Sequence, residues 1–170
     1  MNPAIKVAFP STHLVCRLLL LALIVSCYGL ADDRTTHPSC KHCGMNRQTF
    51  GHSRVLIIYA NDAGSALCSL HCAAIDLAMN QGRLPAEIRV GEFNTRELIA
   101  ADQAEWVIGG DRQGVMTRRA KWAFADAAAA DKFIEEHGGA RSDFSTALKA
   151  AYSDLCDEVE SRRRKAPARP

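Results

Sequence analysis

Two closely spaced pairs of cysteines constrain this chain more than any other feature of its sequence. Cys40 and Cys43 are separated by two residues, and Cys68 and Cys72 are separated by three. The second spacing places both thiols on one face if a helix begins there. The segment between the pairs predicts a hairpin, which can bring all four sulfurs together. We therefore expect the first half of the chain to fold around a sulfur cluster.

Four kinds of site use thiols that are this crowded. Four thiolates around zinc are the usual structural arrangement for paired cysteines, and an exported chain can instead oxidise either pair to a disulfide. Copper(I) is the third possibility, and Met45 favours it because a thioether is a good ligand for a soft ion. A redox dithiol is the fourth, although a thioredoxin-like CxxC opens a helix, whereas this one precedes the first predicted strand.

Two histidines lie within these cysteine motifs. His42 separates Cys40 from Cys43, and His71 directly precedes Cys72. Each is a candidate metal ligand or a residue that supports the ligands from outside. No spacing joins serine, histidine and aspartate into a catalytic set, and no glycine-rich phosphate loop precedes a helix. We therefore expect a binding protein and not an enzyme.

An apolar run near the N-terminus predicts export. It covers residues 18–25, follows a basic segment, and is too short to cross a bilayer as a mature helix. Cys27 falls where the run ends, as in bacterial lipoprotein signals whose cysteine is acylated. We expect residues 1–26 to be a signal peptide, Cys27 to be the lipidation site and the bilayer to be a partner. Cleavage behind Ala31 is the alternative and would release a soluble periplasmic protein.

The first half of the mature chain predicts two strands and a helix. Residues 52–60 are rich in β-branched and aromatic side chains, and a turn cluster separates them from a second apolar run at 66–70. Helical spacing of apolar residues follows over 70–79. The first unit is therefore expected to be strand, strand, helix.

The second half follows a similar order. The expected elements are strands at 88–93, 105–108 and 121–124 and a helical turn at 95–101. Asp126 is suited to cap a helix that ends at Gly138, and an amphipathic helix begins near Asp143. We expect an α+β fold of two strand-strand-helix units packed as one compact domain, plus a C-terminal helix.

The distribution of charge excludes one class of partner. The last ten residues carry five basic and no acidic side chains, which leaves the preceding mature chain with an excess of five acidic residues. A nucleic-acid-binding domain would carry basic charge on its folded surface, so no nucleic acid is expected. We expect a tether at 27–39, a metal-binding domain at 40–158 and a disordered basic tail at 159–170.

The chain resembles the NosL family of exported copper chaperones. The resemblance begins with Cys-Lys-His-Cys-Gly-Met at residues 40–45 and extends to about residue 150. Its later segments are EFNT (92–95), EWVIGG (105–110), VMT (115–117), WAFA (122–125) and HGG (137–139). The order of these segments is more specific than the CxxCGM element alone.

The resemblance implies a lipid-anchored, extracytoplasmic protein that binds copper(I) and passes it to a client copper enzyme such as nitrous oxide reductase. It implies Cys43 and Met45 as ligands, with Cys40 available and Met116 contributed by the second half. The second pair, in Cys-Ser-Leu-His-Cys at 68–72, departs from many family members and resembles the CSxxC of TRASH and YHS metal-binding modules. A structural-zinc interaction module and a dithiol redox protein remain the alternatives.

Overall fold

The computed structural model describes residues 32–60 and 64–165. The predicted signal peptide, Cys27 and the alternative cleavage position behind Ala31 lie outside the described residues. A short helix α1 (Asp33–Thr36) belongs to a separate N-terminal segment, and the main unit begins at His37. No helix in these described ranges combines the length and apolar character needed to cross a membrane.

The main unit contains seven strands and three helices in its described part. In chain order they are β1 (Val55–Tyr59), β2 (Ser65–Leu67), α2 (Leu70–Met79), β3 (Pro85–Gly91), β4 (Leu98–Ala100), β5 (Glu105–Ile108), β6 (Lys121–Phe124), α3 (Ala127–His137), β7 (Ala140–Ser142) and α4 (Phe144–Lys165).

The first sheet is antiparallel, with strand order β2-β1-β3-β4. Val55, Ile57 and Tyr59 alternate along β1 and are buried, as expected for a strand with one face in the core. The helix α2 contacts β1 and β2. This packing places the start of α2 beside the chain segment that precedes β1.

The second sheet is also antiparallel, with strand order β6-β5-β7. Trp106 on β5 and Trp122 on β6 are buried, and α3 contacts all three strands. The Asp126 carboxylate accepts a 2.9 Å hydrogen bond from the Ala129 backbone N–H, which is the predicted N-cap. The long α4 contacts α2 and β5 and so spans both halves.

The α+β class and the C-terminal helix are confirmed, but the expected helical turn at 95–101 is wrong. That segment forms β4, which pairs with β3. The Glu92 carboxylate accepts a 2.9 Å hydrogen bond from the Asn94 backbone N–H, and Arg96 adopts a φ of 61°. These features reverse the chain and return it along β3 as a hairpin, so pairing with β3 decides the conformation of this segment.

Three further details differ from the expectations. The strand β3 pairs with β1, so the predicted second unit contributes its first strand to the first sheet. The strand β7 was not predicted, because its three residues are mostly exposed and lack an apolar pattern. The tail expected to be disordered from residue 159 is helical through Lys165, where i,i+4 ion pairs such as Glu158–Arg162 support α4.

Candidate metal centre

The four paired cysteines form one sulfur cluster. The Sγ atoms of Cys40, Cys43, Cys68 and Cys72 all lie within 4.8 Å of one another. The Sγ of Cys43 is 3.4 Å from that of Cys68 and 3.8 Å from that of Cys72, and the latter two are 3.7 Å apart. Sulfurs about 2.3 Å from a tetrahedral ion are about 3.8 Å apart. The four thiols therefore fit around one metal ion.

A tight turn holds the first cysteine pair. The Cys40 backbone N–H donates to the Met45 carbonyl at 2.8 Å, and the Gly44 N–H donates to the Cys40 carbonyl at 2.9 Å. Gly44 adopts a φ of 74°, a left-handed conformation that glycine accepts without strain. The Lys41 N–H donates to the Ala66 carbonyl at 3.0 Å, which fixes the turn against β2.

The second cysteine pair lies where β2 gives way to α2. Cys68 follows the strand, Ser69 is the extended N-cap residue, and Cys72 lies in the first turn of the helix. The Ser53 hydroxyl donates a 2.8 Å hydrogen bond to the Cys68 carbonyl and fixes this junction. The two thiols consequently face the turn that carries the first pair.

The cluster is open on one side only. Cys40, Cys68 and Cys72 are 3%, 0% and 1% exposed, whereas Cys43 is an exposed residue. All four carry free thiols. An ion bound here would be enclosed by three buried sulfurs and would be reached through the fourth.

The three buried thiols change one another's pKa values through hydrogen bonds. Hydrogen bonds from the thiols of Cys68 and Cys72 hold the pKa of Cys40 far below its ordinary value, against the effect of burial. The hydrogen bond to Cys40 raises the pKa of Cys68 to about 12, and the same interaction raises the pKa of Cys72. Without metal the cluster therefore retains protons at neutral pH, and a bound ion must displace them.

His42 and His71 do not belong to the group of mutually close donor atoms. The Nε2 atom of His42 lies 3.0 Å from the carboxylate of Asp76. The Nε2 atom of His71 lies 3.9 Å from Glu158, and its buried Nδ1 has no hydrogen-bond partner among the described residues. Burial lowers the pKa of His71, so its ring favours the neutral form.

The two methionines occupy different surroundings. Met45 is partly buried and packs against the hydrophobic core, directly after the cysteine turn. Met116 is 42% exposed and adopts a φ of 61° in the loop before β6. Its neighbours Val115 and Thr117 line a small cavity with His71, beside the second cysteine pair. Ligation by either thioether stays a prediction.

Sequence reasoning missed two buried polar residues at the cluster. The Arg47 side chain is buried and donates to the carbonyls of Leu67, at 3.1 Å, and His37, at 2.8 Å. Asp76 is fully buried one helical turn after Cys72. Only the i,i+4 spacing from Cys72 to Asp76 was visible in the sequence, and it did not reveal what the carboxylate contacts.

Comparison with known proteins gives concordant results. The family model NosL matches residues 33–151. The crystal structure of the copper chaperone NosL from Shewanella denitrificans matches with a TM-score of 0.54 and 20% sequence identity, covering 69% of this chain and 93% of that one. This likeness shows a shared fold. No curated protein matches the chain.

Proposed function

Because this chain belongs to the NosL family, we propose that it binds copper(I) at the sulfur cluster and delivers it to an extracytoplasmic copper enzyme such as nitrous oxide reductase. The protein acts as a carrier and catalyses no reaction of its own. The structural relative is itself described as a copper chaperone. Copper is the cargo, and Cys40, Cys43, Cys68 and Cys72 are its ligands.

The observation that carries this proposal is a four-thiol group with one exposed member. Thiolates are soft donors that suit copper(I), and a carrier must release its ion to a partner. Cys43 is the one accessible member and offers the partner a partly buried sulfur, while three buried thiols retain the ion until exchange begins. On the basis of the family resemblance, Met45 and Met116 are proposed as thioether ligands that replace thiolates of the cluster, since copper(I) takes no more than four donors.

The proposed location is the outer face of a bacterial membrane. Acylation of Cys27 would anchor the protein, and the tether at 27–39 would separate the bilayer from the domain. This part of the proposal rests on the apolar run and the cysteine that ends it. Cleavage behind Ala31 would give a soluble carrier in the same compartment.

A structural zinc site is the second candidate function. The sulfur separations of 3.4, 3.7 and 3.8 Å are close to those of a tetrahedral zinc site with four thiolates. In that case the ion would stay in place and the domain would mediate binding to another protein. The two functions differ in whether the protein needs its ion to fold.

Anaerobic titration of the reduced protein separates these candidates. Copper(I) and zinc(II) are added in separate experiments against competing chelators while circular dichroism follows folding. Tight copper(I) binding to an already folded protein is the expected result. Zinc-dependent folding without any preference for copper(I) would establish the structural site instead.

The ligand assignment has a separate test. A Cys43→Ser, Met45→Leu double variant is expected to bind copper(I) more weakly, because it removes the exposed thiolate and the adjacent thioether. Met79→Leu is the matched control, since Met79 is 72% exposed at the far end of α2. Unchanged affinity in the double variant would show that these ligands are wrongly assigned.

A further inference from the structure

A buried carboxylate connects the two halves of the sulfur cluster. Asp76 is on α2, one turn after Cys72, and is fully buried. One of its oxygens lies 3.0 Å from Nε2 of His42 and 3.4 Å from Nζ of Lys41. Both partners are the residues between Cys40 and Cys43. The helix with the second cysteine pair therefore holds the turn with the first pair.

The second oxygen of Asp76 is held by the core. The Tyr59 hydroxyl on β1 donates to it at 2.8 Å. Burial opposes ionisation of Asp76, yet hydrogen bonds from Tyr59, Ser65 and His42 and the charge of Lys41 together lower its pKa. The carboxylate is therefore charged at neutral pH and accepts hydrogen bonds on both oxygens.

A buried charge destabilises a protein unless it is paired. The paired carboxylate of Asp76 must therefore do something that a buried apolar side chain could not. Ordinary hydrophobic packing could join α2 to β1 without a carboxylate. The cysteine turn offers no large apolar side chain between its two thiols, only Lys41 and His42. An ionic and hydrogen-bonded contact is the means available to fix this turn.

We infer that Asp76 is a positioning residue, which acts through His42 and Lys41 to hold the Cys40–Cys43 turn at the distance from Cys68 and Cys72 that one metal ion requires. It touches no metal itself. The cluster is consequently formed before metal arrives, and the ion need not organise it. This inference rests on the proposed metal-binding function of the same cysteines.

The test compares variants at the two ends of this network. Asp76→Asn keeps the volume of the side chain and an acceptor for Tyr59 but weakens the pairing with His42 and Lys41. Loss of a group that orients metal ligands reduces affinity by about 10- to 100-fold, and that decrease is expected for copper(I), measured against a bicinchoninate competitor. Cobalt(II) absorption reports the geometry of the four thiolates in parallel.

Coupling between the partners distinguishes positioning from general stability. His42→Ala alone removes the hydrogen-bonding group at this end of the contact and is expected to weaken copper(I) binding. Adding it to Asp76→Asn is expected to have little further effect, because both act through one contact. Tyr59→Phe removes the hydrogen bond on the core side of Asp76. It is expected to lower the melting temperature, and to weaken copper(I) binding less than Asp76→Asn does, because both contacts from Asp76 to the cysteine turn remain. Asp102→Asn, on an exposed loop, is the charge-matched control.

The outcomes are decisive in each direction. Unchanged affinity and cobalt spectra in both Asp76→Asn and His42→Ala would overturn the inference, as would fully additive effects. Should Asp76→Asn fail to fold, His42→Ala carries the test, because the His42 side chain is partly exposed. A wild-type protein that bound cobalt(II) but no copper(I) would refute the proposed function, and the cobalt spectra of the variants would still decide the role of Asp76.

Discussion

Cys43 differs from the other three cysteines of the cluster in its access to solvent. The buried cysteines are part of the hydrophobic core as well as of the metal centre, so substitutions there act on stability and on binding together. Cys43 belongs to the metal centre alone. This difference between residues makes the two effects separable by experiment.

Serine substitutions should reveal this difference. Cys43→Ser is expected to change the free energy of unfolding of the metal-free protein by less than about 0.5 kcal/mol. Cys68→Ser places a hydroxyl where the residue is 0% exposed and should cost about 1–3 kcal/mol. Urea unfolding measures both changes in stability. Competition with a chelator should show that each variant binds copper(I) more weakly than the wild type does. Equal destabilisation by the two variants would contradict the one-sided opening.

Gly44 contributes through its backbone conformation. Its φ of 74° is unfavourable for other residues, although a Cβ atom there would meet nothing within 4 Å. Gly44→Ala is therefore expected to lower the free energy of unfolding by about 1 kcal/mol. Gly82→Ala is the control, since Gly82 has the same open surroundings without a positive φ. Indistinguishable urea midpoints for the two variants would rule out this conformational cost.

At the scale of elements, polar contacts fix α4 to the rest of the domain. The Asp154 carboxylate on α4 pairs with Lys121 on β6, whose side chain is 2% exposed, and with Arg119 at 2.7 Å. It also accepts a 2.6 Å hydrogen bond from Thr117. These contacts tie the helix to the loop that follows Met116. Their loss should loosen both elements together.

Replacement of Asp154 should destabilise the protein and should make its stability less sensitive to acid. Asp154→Asn leaves Lys121 buried without its counter-charge, so a loss of about 3 kcal/mol is expected. Burial opposes ionisation of Asp154, but its partners, chiefly Lys121, hold the pKa below its ordinary value of 3.8. The stability it provides is therefore complete above that value and is lost as pH falls through the lower, folded-state pKa.

Urea unfolding between about pH 7 and about pH 2 tests this expectation. The wild type should lose more stability than Asp154→Asn over the acidic part of the range. Asp131→Asn is the control, because Asp131 pairs with Arg141 at the surface, where ion pairs contribute little. Parallel pH profiles for the wild type and Asp154→Asn would show that this pair is not an acid-sensitive contact.

At the scale of the whole molecule, the hydrophobic core extends well beyond the sulfur cluster. It includes Ile57 and Val90 in the first sheet and Trp106, Phe124 and Phe133 in the second half. Most of this apolar surface is remote from any bound ion. A domain of this size can bury enough apolar area to fold without a metal.

Removal of metal should therefore leave the fold intact. Circular dichroism of the chelator-treated, reduced protein is expected to retain the helical signal, and copper(I) should raise the melting temperature, because a ligand that binds only the native state stabilises it. Hydrogen exchange should show the metal-dependent protection concentrated at residues 39–46 and at the start of α2. Global unfolding on chelation would indicate a structural metal site.

Local pattern was sufficient to predict that the four cysteines lie close together. Their spacing, the hairpin between the pairs and the helix after Cys68 all depend on residues close in sequence, for which periodicity and turn chemistry are informative. The caps at Asp126 and Gly138 were predictable for the same reason. Local pattern failed at residues 95–101, where strand pairing with β3 overrides a weak helical preference.

The sequence by itself determined that soft sulfur ligands would meet in an α+β domain, because the ligands and the elements that carry them are encoded locally. Only the tertiary structure decided which thiol faces solvent and which carboxylate holds the cysteine turn. Cys43 is exposed and Asp76 reaches His42 across 34 positions of sequence because α2, β1 and β2 pack together. Burial and pairing of this kind arise between segments distant in the chain, and no local spacing encodes them.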